Sequence, residues 1–302
     1  MTQAAGPAVP QRPSLAAWVE GARPRTLPAA VSPVLAGTGS AAYADAFVWW
    51  KALLALVVSL ALQVGVNYAN DYSDGIRGTD AHRVGPLRLV GSGLARPAQV
   101  KAAAFASFGV AAVAGLVLAA TTSWWLIEVG AAAIVAAWFY TGGSHPYGYH
   151  GLGEVFVFVF FGLVAVVGTA YVQVEEIRSD AVLAGCGVGA LACAILVANN
   201  LRDIPTDRVS GKRTLAVLLG DTGTRVFYVV LVVAALVMAV VLARTVSAWM
   251  LLALGCLPLA GRAATTVRKG AVGPQLIPVL KDTGLTELVY AVGLLVGYLL
   301  AG

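Results

Sequence analysis

Long stretches of apolar residues, separated by short polar segments, make up most of the chain. A helix that crosses a bilayer needs about 20 mostly apolar residues. Stretches of that order lie at about 27–44, 50–70, 100–121, 124–141, 152–174, 181–201, 223–243, 246–265 and 284–301. Because backbone groups that face lipid must be paired within their own segment, each stretch should be an α-helix. The pattern predicts an all-α, polytopic membrane protein with about nine transmembrane helices.

The composition agrees with a membrane protein whose partner is the lipid bilayer. The 302 residues are 59% hydrophobic and only 12% charged, whereas a soluble domain carries roughly 25% charged residues. The net charge of +5 does not indicate nucleic-acid binding, because the basic residues lie in loops between the apolar stretches.

The chain is predicted to form a single transmembrane domain over residues 16–302. Residues 1–15 lack a basic segment followed by an apolar one, so they are interpreted as a disordered tail rather than a signal peptide. The second and sixth spans each end in asparagine and acidic residues followed by a basic loop. This weak repetition predicts two related halves.

Lysine and arginine positions predict how the helices are oriented. With the N-terminus in the cytoplasm, only Lys51, Arg178 and Arg244 fall outside, and the other 17 of the 20 basic residues fall inside. Basic residues concentrate in cytoplasmic loops of membrane proteins. The N-terminus and the two long basic loops are therefore expected in the cytoplasm, at the plasma membrane of a bacterium.

Two acidic clusters stand at the ends of the second and sixth spans. The first, NYANDYSDGIRGTD, runs from Asn67 to Asp80, and the second, NNLRDIPTD, from Asn199 to Asp207. On a continuous helix, residues at i, i+3 or i+4 and i+7 share one face. That spacing groups Asn67 with Asp71 and Asp74. It also groups Asn200 with Asp203 and Asp207, although Pro205 is expected to bend or end the helix. Carboxylates at membrane depth normally face a polar cavity and have a function.

Basic residues follow both clusters, and together the two charge types indicate a ligand. Four carboxylates alone would repel one another and any anion. Magnesium accommodates them, because it typically takes one or two carboxylates, waters and substrate phosphate oxygens. Arginine and lysine would bind the remaining phosphate charge. The sequence therefore predicts a Mg²⁺–diphosphate site.

The chain resembles the UbiA superfamily of intramembrane aromatic prenyltransferases. Within it, the chain is most similar to the bacterial 1,4-dihydroxy-2-naphthoate polyprenyltransferases of menaquinone synthesis. The resemblance rests on GARPRTLPAAVSPVLAGT (21–38), ANDYSDGIRGTD with RVGPLRLVGSG (69–93), FYTGGSHPYGYHGLGE (139–154) and NNLRDIPTDRVSGKRTLAVLLG (199–220). It covers nearly the whole chain from about residue 18.

The resemblance implies a role for each matching residue. Four aspartates would be the catalytic, magnesium-binding residues: Asp71, Asp74, Asp203 and Asp207. The diphosphate would be bound by Asn67, Asn70, Arg83, Arg88, Asn200, Lys212, Arg213 and Arg25, and Asp80 would either join them or only end its loop. Acceptor-binding candidates are Tyr140, His145 and Glu154. Some superfamily members carry Tyr-x-x-x-Lys here, but this chain has Ser144 in place of the lysine.

The resemblance implies transfer of a polyprenyl group from polyprenyl diphosphate to 1,4-dihydroxy-2-naphthoate, with loss of CO₂ and diphosphate, giving demethylmenaquinol. Another aromatic acceptor (4-hydroxybenzoate, haem or chlorophyllide) is an alternative. A cation-coupled transporter also places carboxylates in a repeated helical fold, but at the midplane rather than at helix ends. A CDP-alcohol phosphotransferase would need the remainder of a DxxDG motif, which is absent after Gly75.

Overall fold

A computed structural model describes residues 13–78 and 87–302 of the protein. The described residues form α1 (Leu15–Gly21), α2 (Pro28–Tyr43), α3 (Trp49–Arg77), α4 (Pro97–Ala120), α5 (Leu126–Phe139), α6 (Gly153–Val174), α7 (Ser179–Val209), α8 (Leu215–Thr245), α9 (Ala248–Arg268) and α10 (Gly273–Ala301). The all-α prediction is confirmed. Of the predicted N-terminal tail only residues 13–15 are described, and α1 already begins at Leu15.

The nine predicted spans coincide with helices α2 to α10. Within the described part of the chain, seven helices are long and apolar enough to cross a membrane: α3, α4 and α6 to α10. The other two are shorter, since α2 has 16 residues and α5 has 14. Pro205 does not end its helix, because α7 continues to Val209.

Small residues bring the helices close together. A methyl group added at Gly162 in α6 would lie 2.6 Å from the Cα of Gly189 in α7, far inside van der Waals contact. At Gly187 it would lie 2.2 Å from the hydroxyl oxygen of Tyr290 in α10. Glycine permits such approaches between membrane helices. The largest hydrophobic cluster of the described residues lies mostly among α7 to α10, with Ala36 of α2 and Val166 of α6.

The packing brings the two acidic clusters to the same end of the molecule. Helix α3 packs along α4, and α7 packs along α8. The side chain of Lys212, which follows α7, contacts Asp74 near the end of α3. Lys51 lies at the opposite end, where its ammonium donates to the carbonyl of Thr121 at 3.2 Å. The ends of α3 and α7 therefore frame one polar site.

Candidate active site

A cavity of about 1310 Å³ opens between the ends of α3 and α7 and extends among α2 to α6. Small-molecule sites typically measure about 300–1,000 Å³, so this cavity suits a larger ligand. Its polar end is lined by predicted site residues, namely Arg25, Asn67, Asn70, Asp74, Arg88, Tyr140, Asn200, Asp203, Asp207 and Lys212. The fold brings these residues together at one cavity.

Asp74 is the centre of the first cluster. It is buried, and its carboxylate accepts hydrogen bonds from Lys212 Nζ at 3.2 Å and from the hydroxyl of Tyr149. The guanidinium of Arg88 lies 3.5 Å away. Asn70, one turn earlier on the same face, accepts a hydrogen bond from the hydroxyl of Thr141 at 2.8 Å. Asp74 is thus a buried carboxylate surrounded by donors that a phosphate group could also use.

Asp71 does not line the cavity. It is fully buried, and its two carboxylate oxygens accept hydrogen bonds from the backbone N–H groups of Leu89 at 2.7 Å and Val90 at 3.0 Å. The spacing predicted one helix face for Asp71 and Asp74, but the chain returns after α3 and covers Asp71, so its carboxylate does not reach the cavity. Asp71 holds the segment that carries Arg88.

Asn67 lines the cavity, but its side-chain amide nitrogen already donates hydrogen bonds to other protein groups. It donates to the carbonyl of Ala22 at 2.9 Å and to the hydroxyl of Thr26 at 3.0 Å. These bonds attach the turn between α1 and α2 to the middle of α3. Asn67 therefore shapes the cavity wall, and Asn70 is the asparagine of this cluster that lies beside Asp74.

Asp203 is the centre of the second cluster. Its carboxylate receives two hydrogen bonds from the guanidinium of Arg202, at 2.7 and 2.8 Å, and both side chains are buried. A buried bidentate pair of this kind is geometrically well defined. Arg202 also donates to the side chain of Asn199 at 2.8 Å, and both residues line the cavity with Asp207.

The loop without lysine or arginine, residues 140–151, connects the clusters. Arg77 at the end of α3 donates to the carbonyls of Thr141 and Gly143. On the other side, the backbone N–H of Arg213 donates to the carbonyl of Tyr149 at 2.9 Å. The loop is therefore attached both to the first cluster and to the basic segment after the second.

Several predicted site residues do not reach the cavity. The side chains of Arg213 and His145 are exposed, and His145 contacts the hydroxyl of Ser144 at 3.0 Å. Glu154 is buried and accepts a hydrogen bond from Asn200 at 3.1 Å, so it links α6 to α7. Arg83 and Asp80 lie outside the described residues.

Aromatic side chains cover the cavity wall formed by α5, α6 and the loop between them. Residues Phe158–Val164 form a π-helical segment of α6, and the successive residues Phe160 and Phe161 both line the cavity. Tyr147 stacks on Phe156 with ring centroids 4.0 Å apart. Burial raises the pKa of Tyr147, so its hydroxyl stays protonated and donates to the carbonyl of Ala136 at 2.8 Å.

The donor set fits magnesium bound together with a diphosphate. Among the described residues, no group of three or more His, Cys, Asp or Glu side chains is arranged to hold a metal ion alone. Mg²⁺ usually retains waters and shares one or two carboxylates with substrate phosphates. Asp74, Asp203 and Asp207 supply carboxylates at the cavity wall, so oxygen ligands are present without a closed protein site.

Sequence reasoning missed three residues of this site: Asn199, Arg202 and Tyr149. Asn199 precedes Asp203 by four residues, as Asn70 precedes Asp74, and this shared spacing was the available signal. Arg202 is adjacent to Asp203 in sequence, and neighbours along a helix do not normally share a face. Nothing in the sequence singles out Tyr149 among the tyrosines of its loop.

Comparisons with known proteins place the chain in one family. Residues 30–271 match the profile of the UbiA prenyltransferase family. A Mycobacterium leprae protein described as 1,4-dihydroxy-2-naphthoate octaprenyltransferase is 57% identical over 289 residues, covering 96% of this chain and 98% of that protein. A Mycobacterium tuberculosis protein with the same description is 59% identical over 278 residues, covering 92% and 95%.

Solved structures share the fold at low sequence identity. A UbiA homologue from Aeropyrum pernix superposes with a TM-score of 0.70 at 15% identity, covering 89% of this chain and 97% of that one. A UbiA homologue from Archaeoglobus fulgidus, bound to GPP and Mg²⁺, superposes with a TM-score of 0.66 at 13% identity, covering 93% and 99%.

Proposed function

The chain belongs to the UbiA prenyltransferase family, and we propose that it transfers a polyprenyl group from polyprenyl diphosphate to 1,4-dihydroxy-2-naphthoate. CO₂ and diphosphate are released, and the product is demethylmenaquinol, a menaquinone precursor. The Mycobacterium relatives that are 57% and 59% identical carry this acceptor in their descriptions. The family membership removes the transporter and the CDP-alcohol phosphotransferase alternatives.

One observation carries the proposal: a single cavity has charged groups of both clusters at one end and hydrocarbon walls along the rest. Asp74, Asp203 and Lys212 lie at the charged end, whereas Phe156 and Phe160 line the apolar part. A polyprenyl diphosphate has the same division into an anionic head and an apolar tail. The cavity therefore matches the donor substrate in both charge and polarity.

Magnesium is the proposed cofactor. Asp74, Asp203 and Asp207 would hold it, and it would offset negative charge on the leaving diphosphate. Lys212 and Arg88 would bind the remaining phosphate oxygens, with Asn70 and Asn200 as neutral partners. Asp71 is assigned a different task, since its oxygens are occupied by backbone N–H groups. Arg25 stands at the cavity wall, where it can attract either anionic substrate.

The reaction breaks the bond between the allylic carbon and the diphosphate oxygen. A new carbon–carbon bond forms at the ring carbon that bears the carboxylate, and the bond to CO₂ then breaks, so that its electron pair restores aromaticity. No ring proton has to be removed, because that carbon carries carboxylate instead of hydrogen. This step therefore requires no separate base, in agreement with the placement of Glu154 and His145 outside the cavity lining.

The apolar walls protect the reactive carbon from water. A cation-like allylic carbon would be quenched by water, so the site has to exclude it. Phe156, Phe160 and Phe161 line the cavity, and aromatic rings can stabilise nearby positive charge. Of the three predicted acceptor-binding residues, Tyr140 is the one that lines the cavity, and it is proposed to contact the aromatic ring of the acceptor.

The protein is a multi-pass membrane protein, and the orientation is part of the proposal. We place the N-terminus and the loops at 78–96 and 210–214 in the cytoplasm of a bacterial cell, and residues 16–302 form one prenyltransferase domain. Support comes from the distribution of Lys and Arg. The isoprenoid tail can then enter the cavity from the bilayer while the diphosphate stays at the cytoplasmic end.

The function is tested with purified protein, farnesyl or longer prenyl diphosphates and a panel of aromatic acceptors, in Mg²⁺ and in EDTA. Prenylated product is expected from 1,4-dihydroxy-2-naphthoate only, and only with Mg²⁺. Prenylation of 4-hydroxybenzoate instead would reject the naphthoate assignment. Undiminished turnover in EDTA would reject the magnesium site.

A further inference from the structure

Tyr149 lies between two cations and a buried carboxylate. Its hydroxyl donates to Asp74 Oδ1, the oxygen that also accepts from Lys212 Nζ. The ammonium of Lys212 lies 4.5 Å from the centre of the tyrosine ring, and the guanidinium of Arg77 lies 5.5 Å from it. One side chain thus contacts groups from the first acidic cluster and from the basic segment after the second.

The ring of Tyr149 can position the ammonium of Lys212 without help from the hydroxyl. The face of an aromatic ring carries negative electrostatic potential and attracts a cation within about 6 Å. Lysine is a flexible chain with a compact charge, so a ring beneath the ammonium restricts where that charge lies. Only 11% of the Lys212 side chain is exposed, which places this cation–π contact in a partly desolvated position, where it is stronger.

The loop around Tyr149 is itself held in place. Its carbonyl accepts from the N–H of Arg213, and Arg77 is fixed by two carbonyls of the same loop, those of Thr141 and Gly143. The ring is therefore a surface fixed by its loop, and the ammonium of Lys212 lies against it.

We propose that Tyr149 is a positioning residue that holds Lys212 over its ring and beside Asp74, so that the cation is already in place when a diphosphate enters the cavity. The inference rests on the proposed function, because it assigns Lys212 to the diphosphate. Tyr149 acts through Lys212 and does not itself contact the reacting carbon.

The test compares Tyr149→Phe, which keeps the ring, with Tyr149→Leu, which removes it. Binding of inorganic pyrophosphate in Mg²⁺ is measured by calorimetry on each purified protein, and kcat and KM are measured for prenyl diphosphate. Tyr149→Leu should weaken pyrophosphate binding roughly tenfold and raise KM by a similar factor. Tyr149→Phe should stay within about threefold of the unmodified protein in both quantities. Equal losses of pyrophosphate affinity in Tyr149→Phe and Tyr149→Leu, or no loss in Tyr149→Leu, would overturn the assignment.

A double-mutant cycle with Lys212→Met shows whether the effect passes through the lysine. In the Lys212→Met background, Tyr149→Leu should weaken pyrophosphate binding no further. Independent, multiplying losses would mean that Tyr149 does not position Lys212. Tyr171→Phe is the matched control, because it removes a tyrosine hydroxyl that contacts Trp125 outside the cavity, and it should leave all values unchanged.

A substitute variant and the choice of pyrophosphate as ligand keep the test interpretable. Should Tyr149→Leu fail to purify as folded protein, Tyr149→Met replaces it, since it also lacks the ring. Pyrophosphate binding needs no aromatic acceptor, so failure to prenylate the naphthoate would contradict the proposed function while leaving the Tyr149 result interpretable. Absence of pyrophosphate binding by the unmodified protein would overturn the Tyr149 assignment, whereas prenylated product in the acceptor assay would still support the proposed function.

Discussion

Replacing Asp71 by asparagine tests whether this residue holds a loop or binds magnesium. Its carboxylate is fully buried and accepts two backbone hydrogen bonds, at 2.7 and 3.0 Å, from Leu89 and Val90. Hydrogen bonds to charged groups contribute about 1.5–3 kcal/mol each. Loss of both hydrogen bonds would destabilise the docked loop by about 3–6 kcal/mol. Asparagine retains one acceptor oxygen, so Asp71→Asn should destabilise it by about half of that.

The consequence should appear in diphosphate binding. The docked segment carries Arg88, whose guanidinium lies 3.5 Å from Asp74, so an undocked loop withdraws a cation from the site. Since about 1.4 kcal/mol corresponds to a factor of ten, Asp71→Asn should raise KM for prenyl diphosphate roughly tenfold or more. The Mg²⁺ concentration that gives half-maximal activity should not change once the diphosphate is saturating.

Asp74→Asn is the matched comparison, because it alters a carboxylate that lines the cavity. It should lower kcat by about 10²–10³, the size typical of removing a group that stabilises developing charge, and raise the Mg²⁺ requirement. Initial rates across a grid of Mg²⁺ and prenyl diphosphate concentrations separate the two effects. If Asp71→Asn shifts the Mg²⁺ requirement as far as Asp74→Asn does, the loop-holding role is refuted.

Two more outcomes are expected. Gly162→Ala should lower the unfolding temperature in detergent, since the added methyl would lie 2.6 Å from the Cα of Gly189 and overpacking costs about 1–3 kcal/mol. Gly168→Ala in the same helix meets nothing within 4 Å and should not lower it; equal effects would contradict the close packing. In cells, cysteine at Ser210 should resist a membrane-impermeant thiol reagent and cysteine at Glu176 should react, and the reverse result would invert the proposed orientation.

Hydropathy was sufficient to predict the fold because the bilayer restricts the possible structures. Every predicted span, from 27–44 to 284–301, corresponds to a helix from α2 to α10. Boundaries were less accurate at polar ends: α7 extends to Val209, whereas its apolar stretch ends near residue 201. The acidic clusters continue their helices beyond the apolar part, and hydropathy alone cannot detect that.

The site was predictable as a set of charges but not in its detailed contacts. Helical spacing placed Asn67, Asp71 and Asp74 on one face of α3, yet only tertiary structure shows that the returning chain covers Asp71. Likewise, spacing grouped Asn200 with Asp203, whereas in the structure Asn200 donates to Glu154 and Asn199 shares Arg202 with Asp203. The position of Tyr149 beside Asp74 and Lys212 depends on the conformation of its loop, which no periodicity in the sequence predicts.

The most direct test of the central claim follows the carboxylate of the acceptor through the reaction. 1,4-Dihydroxy-2-naphthoate labelled in the carboxyl group or in the ring is incubated with purified protein, Mg²⁺ and a prenyl diphosphate. The account predicts that the lipid product retains the ring label and that carboxyl label is released as CO₂ in equal molar amount. A prenylated product that retains the carboxyl label would contradict it.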